Sequence, residues 1–212
     1  MFMNTFVIAI FTCIISTIFV LSVAYSMSRM RFKMRKPFMN IAMIIGLFPS
    51  FMSMIAVYYI LRALNLADGA MIRVALIIVF SAGSGAGFYV AKGFFDTISK
   101  SLDEAAIIDG ATRWNVFTKI TVPLSKPIIV YTILTSFMGP WVDFIFGKVI
   151  CRADAQYYTV SIGLWKMLEK EYIDSWYTCF AAGAVVVSIP IAILFLMTQK
   201  FYVEGMTGAV KG

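Results

Sequence analysis

The chain has 212 residues, of which 61% are hydrophobic and 14% charged, and its formal net charge is +7. A soluble domain of this size has too little interior to hide so much apolar surface, so much of the chain must face lipid. It has no histidine and three widely separated cysteines, which excludes a histidine-containing zinc site and a cysteine–histidine nucleophile pair. We expect these cysteines to be free, with a pair between Cys151 and Cys179 as the open alternative.

Five apolar runs are long enough to cross a hydrocarbon core of roughly 30 Å. Each must be a helix, because lipid cannot satisfy the hydrogen bonds of an open backbone. The predicted fold class is therefore all-α, a polytopic membrane protein with one transmembrane domain over residues 1–212. The predicted spans are 6–25, 38–61, 71–90, 128–150 and 177–198, joined by two long connections at 99–127 and about 151–176.

Lysine and arginine are distributed unequally between the two sides of this topology. Twelve lie in the first loop, the 99–127 loop with its flanks and the tail 199–212, whereas six lie on the other side. The basic side is expected to be cytoplasmic, which places the N-terminus outside and the C-terminus inside. These charges flank predicted spans, so they require no nucleic acid as a partner. An outside N-terminus without a basic leader is unusual, and we expect a further span upstream.

Several features lie inside the spans. The small residues of 81–87 lack the lysine of a phosphate loop and favour close helix packing instead. Gly46–Pro49 and Gly139–Pro140 predict kinks. Asp143 is an ionisable residue within a span and is therefore a functional-site hypothesis, with pairing to Lys148 as the structural alternative.

The 99–127 loop has the pattern of two short helices. Ser101 or Asp103 can cap the first, and Gly110 stands where this helix must stop with a positive φ. Thr112 can cap the second, in which Trp114, Phe117 and Ile120 are expected on one face, and Pro123 closes it. On periodicity alone, such a pair could also lie flat on the inner membrane surface.

The residue types in this loop are more specific than helix capping requires. Glu104-Ala105-Ala106, Asp109-Gly110-Ala111 and Pro123-Leu124 occur at fixed distances. The loop resembles the E-A-A-x-x-x-G loop of ABC importer permeases, the transmembrane subunits driven by a separate ATPase.

Nearly the whole chain, from Asn4 onward, resembles the carbohydrate-importer branch of these permeases, the maltose/maltodextrin (MalG-like) subunits. The matching pieces are Asn4-Thr5, Ala24-Tyr25, Arg31-Phe32-Lys33, the central loop, Trp141-x-Asp143-Phe144, Gly163-Leu164, Pro190, Gln199-Lys200-Phe201 and the tail from Val203 to Gly212. Val142 departs from the Asn that is more usual between the Trp and the acidic residue, which weakens the assignment of Asp143 to the pathway.

The resemblance implies a six-span subunit whose first span is absent from this sequence. Its expected partners are a second homologous permease, a cytoplasmic ATPase dimer that binds ATP and Mg²⁺, an extracellular or periplasmic solute-binding protein, membrane lipid and a sugar. This chain would then be no enzyme and would hold no cofactor or metal. ATPase coupling is assigned to Glu104, Ala105, Ala106, Asp109, Gly110 and Ala111, and the substrate pathway to Trp141, Asp143 and Phe144.

The predicted function is therefore that of a permease subunit in an ATP-driven sugar importer, in a bacterial or archaeal cell membrane. It would form half of the translocation pathway, and the tail could also reach the ATPases. Two alternatives stay open at this point. One is an ABC permease for a non-sugar solute. The other is an ion-coupled secondary carrier, which usually shows internal repeats that we do not find here.

Overall fold

The computed structural model of the chain describes residues 1–47, 50–83, 87–152, 154–169 and 173–208. Most of these residues are helical and none of them lies in a β-strand, which confirms the all-α class. A π-helical turn, Phe117–Thr121, and a 3₁₀ turn, Ala155–Tyr157, lie between α-helices. The α-helices are α1 (Phe2–Arg29), α2 (Arg35–Gly46), α3 (Ser50–Ala63), α4 (Met71–Gly83), α5 (Gly87–Thr97), α6 (Lys100–Ile108), α7 (Arg113–Val116), α8 (Val122–Leu124), α9 (Lys126–Val142), α10 (Ile145–Cys151), α11 (Val160–Met167) and α12 (Ile173–Gly208).

Two helices in the described part of the chain are each long and apolar enough to cross a membrane, Phe2–Arg29 and Asp174–Phe201. Two bent pairs pass the same test. Met71–Ala82 and Gly87–Thr97 meet at 42°, and Arg113–Leu124 and Lys126–Val142 meet at 82°. Met52–Ala63 is a shorter apolar helix. These helices and bent pairs occur in the same order as the predicted spans. The prediction that the chain crosses the membrane five times stays a prediction.

The predicted span 128–150 is not one continuous helix. Helix α9 ends at Val142, Asp143 has an extended backbone (φ −75°, ψ 124°), and α10 begins at Ile145. The Asp143 carboxylate accepts a hydrogen bond from the backbone N–H of Gly147 at 2.9 Å, so it caps a new helix. Pro140, which lacks a backbone N–H, lies in the turn just before the break.

Two other predicted spans each correspond to two helices of the described residues. The span 38–61 falls on α2 and α3, and the span 71–90 falls on α4 and α5, with residues 48–49 and 84–86 outside the described residues. The predicted kink at Gly46–Pro49 coincides with the end of α2, although Pro49 itself lies outside the described residues. The predicted tail continues α12 as a helix to Gly208, and residues 209–212 lie outside the described residues.

Helix α1 lies at the centre of the packing, against α4, α5, α9 and α11. Its buried side carries small and polar residues such as Ala9, Thr12 and Ala24. Its exposed side carries Phe11, Ile14, Ile15, Ile18 and Phe19. This is the reverse of a helix in water, and it fits a helix whose large apolar side chains face lipid while small residues allow close helix contact.

Buried residues form three clusters along α1. One joins Ile8 near its start to a group from the later helices, Ile72, Leu76, Ile150 and Ile162. Another joins Leu21 and Ala24 near its end to Phe88, Phe95 and Ile128. The third surrounds Ala9 with Phe137, Trp141 and Val160. The last turn of α1 therefore contributes Met27 to a buried cluster, and Phe117 of the 99–127 loop packs against the same cluster.

Candidate functional site in the 99–127 loop and the adjoining cavity

Helix α6 is capped by Ser99, whose side-chain oxygen accepts a hydrogen bond from the backbone N–H of Ser101 at 3.3 Å. The prediction of Ser101 or Asp103 as the cap is wrong. Ser99 has the extended backbone that an N-cap needs (φ −58°, ψ 132°), whereas Ser101 lies inside the helix with its hydroxyl 2.7 Å from that of Ser99. Asp103 stays in the first turn, where the helix dipole favours a negative charge.

The end of α6 confirms the prediction for Gly110. Its φ is +86°, in the left-handed region that favours glycine. The backbone N–H of Gly110 donates to Ile107 O at 3.0 Å, and that of Ala111 donates to Ala106 O at 2.9 Å. This pair of bonds is the Schellman motif, which satisfies the last carbonyls of the helix and turns the chain sharply.

The second helix begins as predicted, with the Thr112 hydroxyl accepting from the backbone N–H of Asn115 at 3.2 Å. Of its aromatic residues, Phe117 packs against another helix and Trp114 does not. The Phe117 ring lies 4.7 Å from that of Tyr25, whereas Trp114 is exposed. The rings of Trp114 and Phe117 lie 5.7 Å apart, so these two residues share a face as predicted. A π-helical turn begins at Phe117 and contains Ile120, whose place on that face stays a prediction. Pro123 lies inside α8, and the 82° bend follows directly after it.

The residues assigned to ATPase coupling are accessible. Glu104, Ala105, Asp109 and Gly110 are exposed, and Ala106 and Ala111 are half-buried. Two large apolar side chains beside them are among the most exposed in the described chain, Ile108 at 85% and Trp114 at 69%. Large apolar side chains exposed together on a short loop are typical of an interaction surface. We call this exposed set the coupling surface: Glu104, Ala105, Ile108, Asp109, Gly110 and Trp114.

The opposite side of α6 is attached to the end of α1. Arg29 Nε and Asp103 Oδ2 are 3.0 Å apart, with side chains only 5% and 12% exposed. Arg29 Nη2 also donates to Ile98 O at 2.9 Å. The sequence interpretation missed this pair, because the two residues are far apart in the chain and each had a local explanation, one as a positive-inside charge and one as a helix cap.

A cavity of about 450 Å³ opens between α1, α4, α5, α9 and the start of α10. Its wall is mainly apolar, with hydroxyl groups contributed by one face of α9. The Thr132 and Thr135 hydroxyls donate to backbone carbonyls of α9 itself, at Ile128 (2.8 Å) and Tyr131 (2.9 Å). The lining residues are Val20, Val79, Phe80, Gly87, Tyr131, Thr132, Thr135, Ser136, Gly139, Asp143 and Phe146.

Of the three residues assigned to the substrate pathway, the structure places Asp143 in the wall of this cavity. Trp141 is instead buried, with its ring 5.2 Å from Phe2 and 6.0 Å from Phe137. Phe144 is half-buried, and its ring lies 5.0 Å from Trp165. The alternative pairing of Asp143 with Lys148 is not among the ion pairs of the described residues, and Lys148 Nζ lies 5.9 Å from the centre of the Tyr158 ring.

Comparison with known proteins identifies the family. Residues 17–206 match the family described as binding-protein-dependent transport system inner membrane component. The chain belongs to this family. The permease is 35% identical over 213 residues to the galactooligosaccharides transport system permease protein GanQ of Bacillus subtilis, covering 100% of this chain and 74% of that protein. It is 32% identical over 212 residues to the maltodextrin transport system permease protein MalD of Streptococcus pneumoniae, with the same coverage. Against the maltose/maltodextrin transport system permease protein MalG of Escherichia coli, identity is 33% over 193 residues, or 89% of this chain and 64% of that protein.

The matched range of the permease contains the whole 99–127 loop and every residue that lines the cavity. The permease is therefore a membrane component of a binding-protein-dependent transport system. This decides against the secondary carrier as the alternative class, because that carrier would work alone. The finding also confirms the ABC permease resemblance and the membrane location drawn from the sequence.

Proposed function

We propose that the permease is one of two homologous subunits that together enclose the translocation pathway of an oligosaccharide importer. Relatives that span the whole chain are named for maltodextrin and galactooligosaccharide transport, which supports a sugar as the substrate. The second permease would close the open side of the cavity, and a solute-binding protein would deliver the sugar from outside. A non-sugar solute is the remaining alternative within the family.

The observation that carries this proposal is the coupling surface. It combines an acidic residue, small residues and two exposed apolar side chains on a loop outside the predicted spans. A slim helix of this kind suits a cleft in a partner protein, where Ile108 and Trp114 would lose their contact with water. The partner would be a cytoplasmic ATPase dimer, which would bind ATP and Mg²⁺ and carry out hydrolysis. Its closure would move the two permeases as rigid bodies between inward and outward access.

The cavity supports a place for this chain in the pathway. Asp143 lies in its wall, together with the hydroxyl-bearing face of α9. Carboxylate and hydroxyl groups on an otherwise apolar wall can exchange hydrogen bonds with the hydroxyl groups of a passing sugar. On this proposal the cytoplasmic side is the side of the 99–127 loop, and the N-terminus of the chain is outside.

Purification in mild detergent followed by reconstitution tests the proposal. The permease should copurify with a second permease and an ATPase. Proteoliposomes that contain this complex and its binding protein should take up labelled maltodextrin or galactooligosaccharide only when ATP is present. ATP-dependent uptake of a different solute would establish the non-sugar alternative. A chain that transports by itself without ATP would refute the coupling role.

Glu104→Lys provides the matched variant, because it reverses one exposed charge of the coupling surface without touching a buried contact. It should insert normally and lose uptake as well as copurification of the ATPase. Lys119→Gln changes an exposed charge of the same loop outside the coupling surface and should behave as wild type. Normal uptake by the Glu104→Lys complex would contradict the docking role.

A further inference from the structure

Helix α6 is attached to the rest of the molecule in an unusual way. Of its residues, all of which the structure describes, only Asp103 is buried. Its apolar residues Leu102, Ile107 and Ile108 are exposed. The buried contact of α6 is therefore the ion pair of Asp103 with Arg29 at the end of α1. The planar guanidinium of Arg29 reaches two groups at once, since Nε lies 3.0 Å from Asp103 Oδ2 while Nη2 donates to Ile98 O.

Arg29 joins three parts of the chain at this point. It is the last residue of α1, it contacts Asp103 of α6, and its second nitrogen donates to Ile98 O in the link from α5 to α6. The residue before it, Ser28, donates to Asp96 Oδ1 near the end of α5 at 2.6 Å. One turn earlier the Tyr25 hydroxyl donates to Arg113 O at 3.3 Å, at the start of α7. The final turn of α1 thus touches each element that precedes or follows α6.

The other end of this connection is the cavity. Helix α1 packs along α5 and α9, and its residue Val20, about two turns before Ser28, lines the cavity wall. Ala24 and Met27 lie in the same buried cluster as Phe88 and Ile128. A change in the angle of α1 at its last turn would therefore be passed to the helices that form the cavity.

We propose that the Arg29–Asp103 ion pair is a positioning contact through which a movement of α6 is transferred to α1 and so to the cavity. This inference rests on the proposed function, in which α6 docks on an ATPase. Glu104 is exposed, whereas the residue before it in the chain, Asp103, is buried against Arg29 of α1. On this proposal, the two neighbouring carboxylates of α6 link the coupling surface, through Glu104, to helix α1, through Asp103.

The test measures sugar imported per ATP hydrolysed in the reconstituted complex. Asp103→Asn and Arg29→Gln remove the charge pair, whereas Arg29→Lys keeps the charge and loses the fork that reaches Asp103 and Ile98 together. All three should copurify with the ATPase, and for each we expect a roughly tenfold fall in this ratio, within the range of typical coupling between sites. Lys119→Gln removes an exposed charge of the same loop that takes no part in this ion pair, and it should leave the ratio unchanged.

The double variant Arg29→Asp/Asp103→Arg restores opposite charges and should recover part of the ratio. An ion pair that only stabilises the fold would leave the ratio normal in Arg29→Lys, since that variant keeps the charge. A wild-type ratio in Arg29→Lys, or in both charge-removing variants, would overturn the inference. If instead the wild-type complex contains no ATPase or imports no solute with ATP, it is the proposed function that fails.

Discussion

Gly110 is required for its backbone conformation rather than for the absence of a side chain. A Cβ at this position would meet no atom within 4 Å, so the cost of replacement comes from its φ of +86°. Asparagine tolerates this region, whereas alanine is expected to cost about 1 kcal/mol there. Proline cannot adopt it and removes the N–H that bonds to Ile107 O.

We therefore predict that Gly110→Pro abolishes uptake while the protein still inserts, and that Gly110→Asn retains most of it. Uptake per inserted permease in proteoliposomes measures this difference. Uptake by Gly110→Pro as high as that of the wild type would show that transport does not need the turn at the end of α6.

Asp143 has two roles that substitutions can separate. Its carboxylate caps α10 through Gly147 N–H, and it also places a charge in the cavity wall. Asparagine keeps an oxygen for the cap and removes the charge, whereas alanine removes both and should cost about 1 kcal/mol from the lost cap.

Asp143→Asn should therefore change the apparent affinity or the rate of uptake with little loss of thermal stability. Asp143→Ala should lower both the uptake and the thermal stability. An uptake curve of Asp143→Asn that superimposes on the wild type would assign Asp143 to helix capping alone. Thermal unfolding in detergent, measured on the same preparations, provides the stability comparison.

Helix α6 depends on the serine that begins it. Ser99→Ala should release the first turn of α6, because the cap hydrogen bond to Ser101 N–H is worth about 1 kcal/mol. Hydrogen exchange at the amides of Ser101, Leu102 and Asp103 should become severalfold faster. Ser101→Ala removes the neighbouring hydroxyl but leaves the cap, and it should leave exchange nearly unchanged. The opposite order would show that Ser101 is the cap, as the sequence had predicted.

The sequence predicted those parts of α6 and α7 that local chemistry determines. The stop at Gly110 and the cap at Thr112 depend on residues within a turn of each other, and both are confirmed. The sequence placed the cap of α6 at Ser101 or Asp103 instead of Ser99. These three residues are all capable of capping a helix and lie close together, so the pattern does not choose among them.

Contacts between distant segments could not be predicted in this way. Arg29 and Asp103 are brought together by the packing of α1 against α5, which no local pattern reports. Hydropathy also did not reveal the break after Val142, since a carboxylate that caps a new helix changes an apolar run only slightly. The family resemblance pointed to the 99–127 loop as the candidate site, and the structure was needed to show which contacts hold it.

Cysteine labelling can show which side of the membrane each loop faces. All three cysteines are free, as expected, but Cys151 is a poor reporter of topology. It is only 1% exposed, and burial raises the pKa of its thiol to about 12. Because the thiolate is the reacting form, Cys151 should react much more slowly than an exposed cysteine at neutral pH. Its labelling should therefore be slow in the folded protein and should rise with pH.

Introduced cysteines at exposed positions give a direct test. In a background of Cys13→Ala and Cys179→Ala, Ala155→Cys places a thiol in the exposed 3₁₀ turn, and Lys33→Cys places one between α1 and α2. The excess of lysine and arginine on the Lys33 side predicts that side to be cytoplasmic. An impermeant maleimide added to intact cells should label Ala155→Cys at once, and Lys33→Cys only after permeabilisation. Denaturation should then expose Cys151 in both variants, which controls for the amount of protein. The reverse order of labelling would invert the topology and place the coupling surface outside the cell, where no ATP-driven partner could reach it.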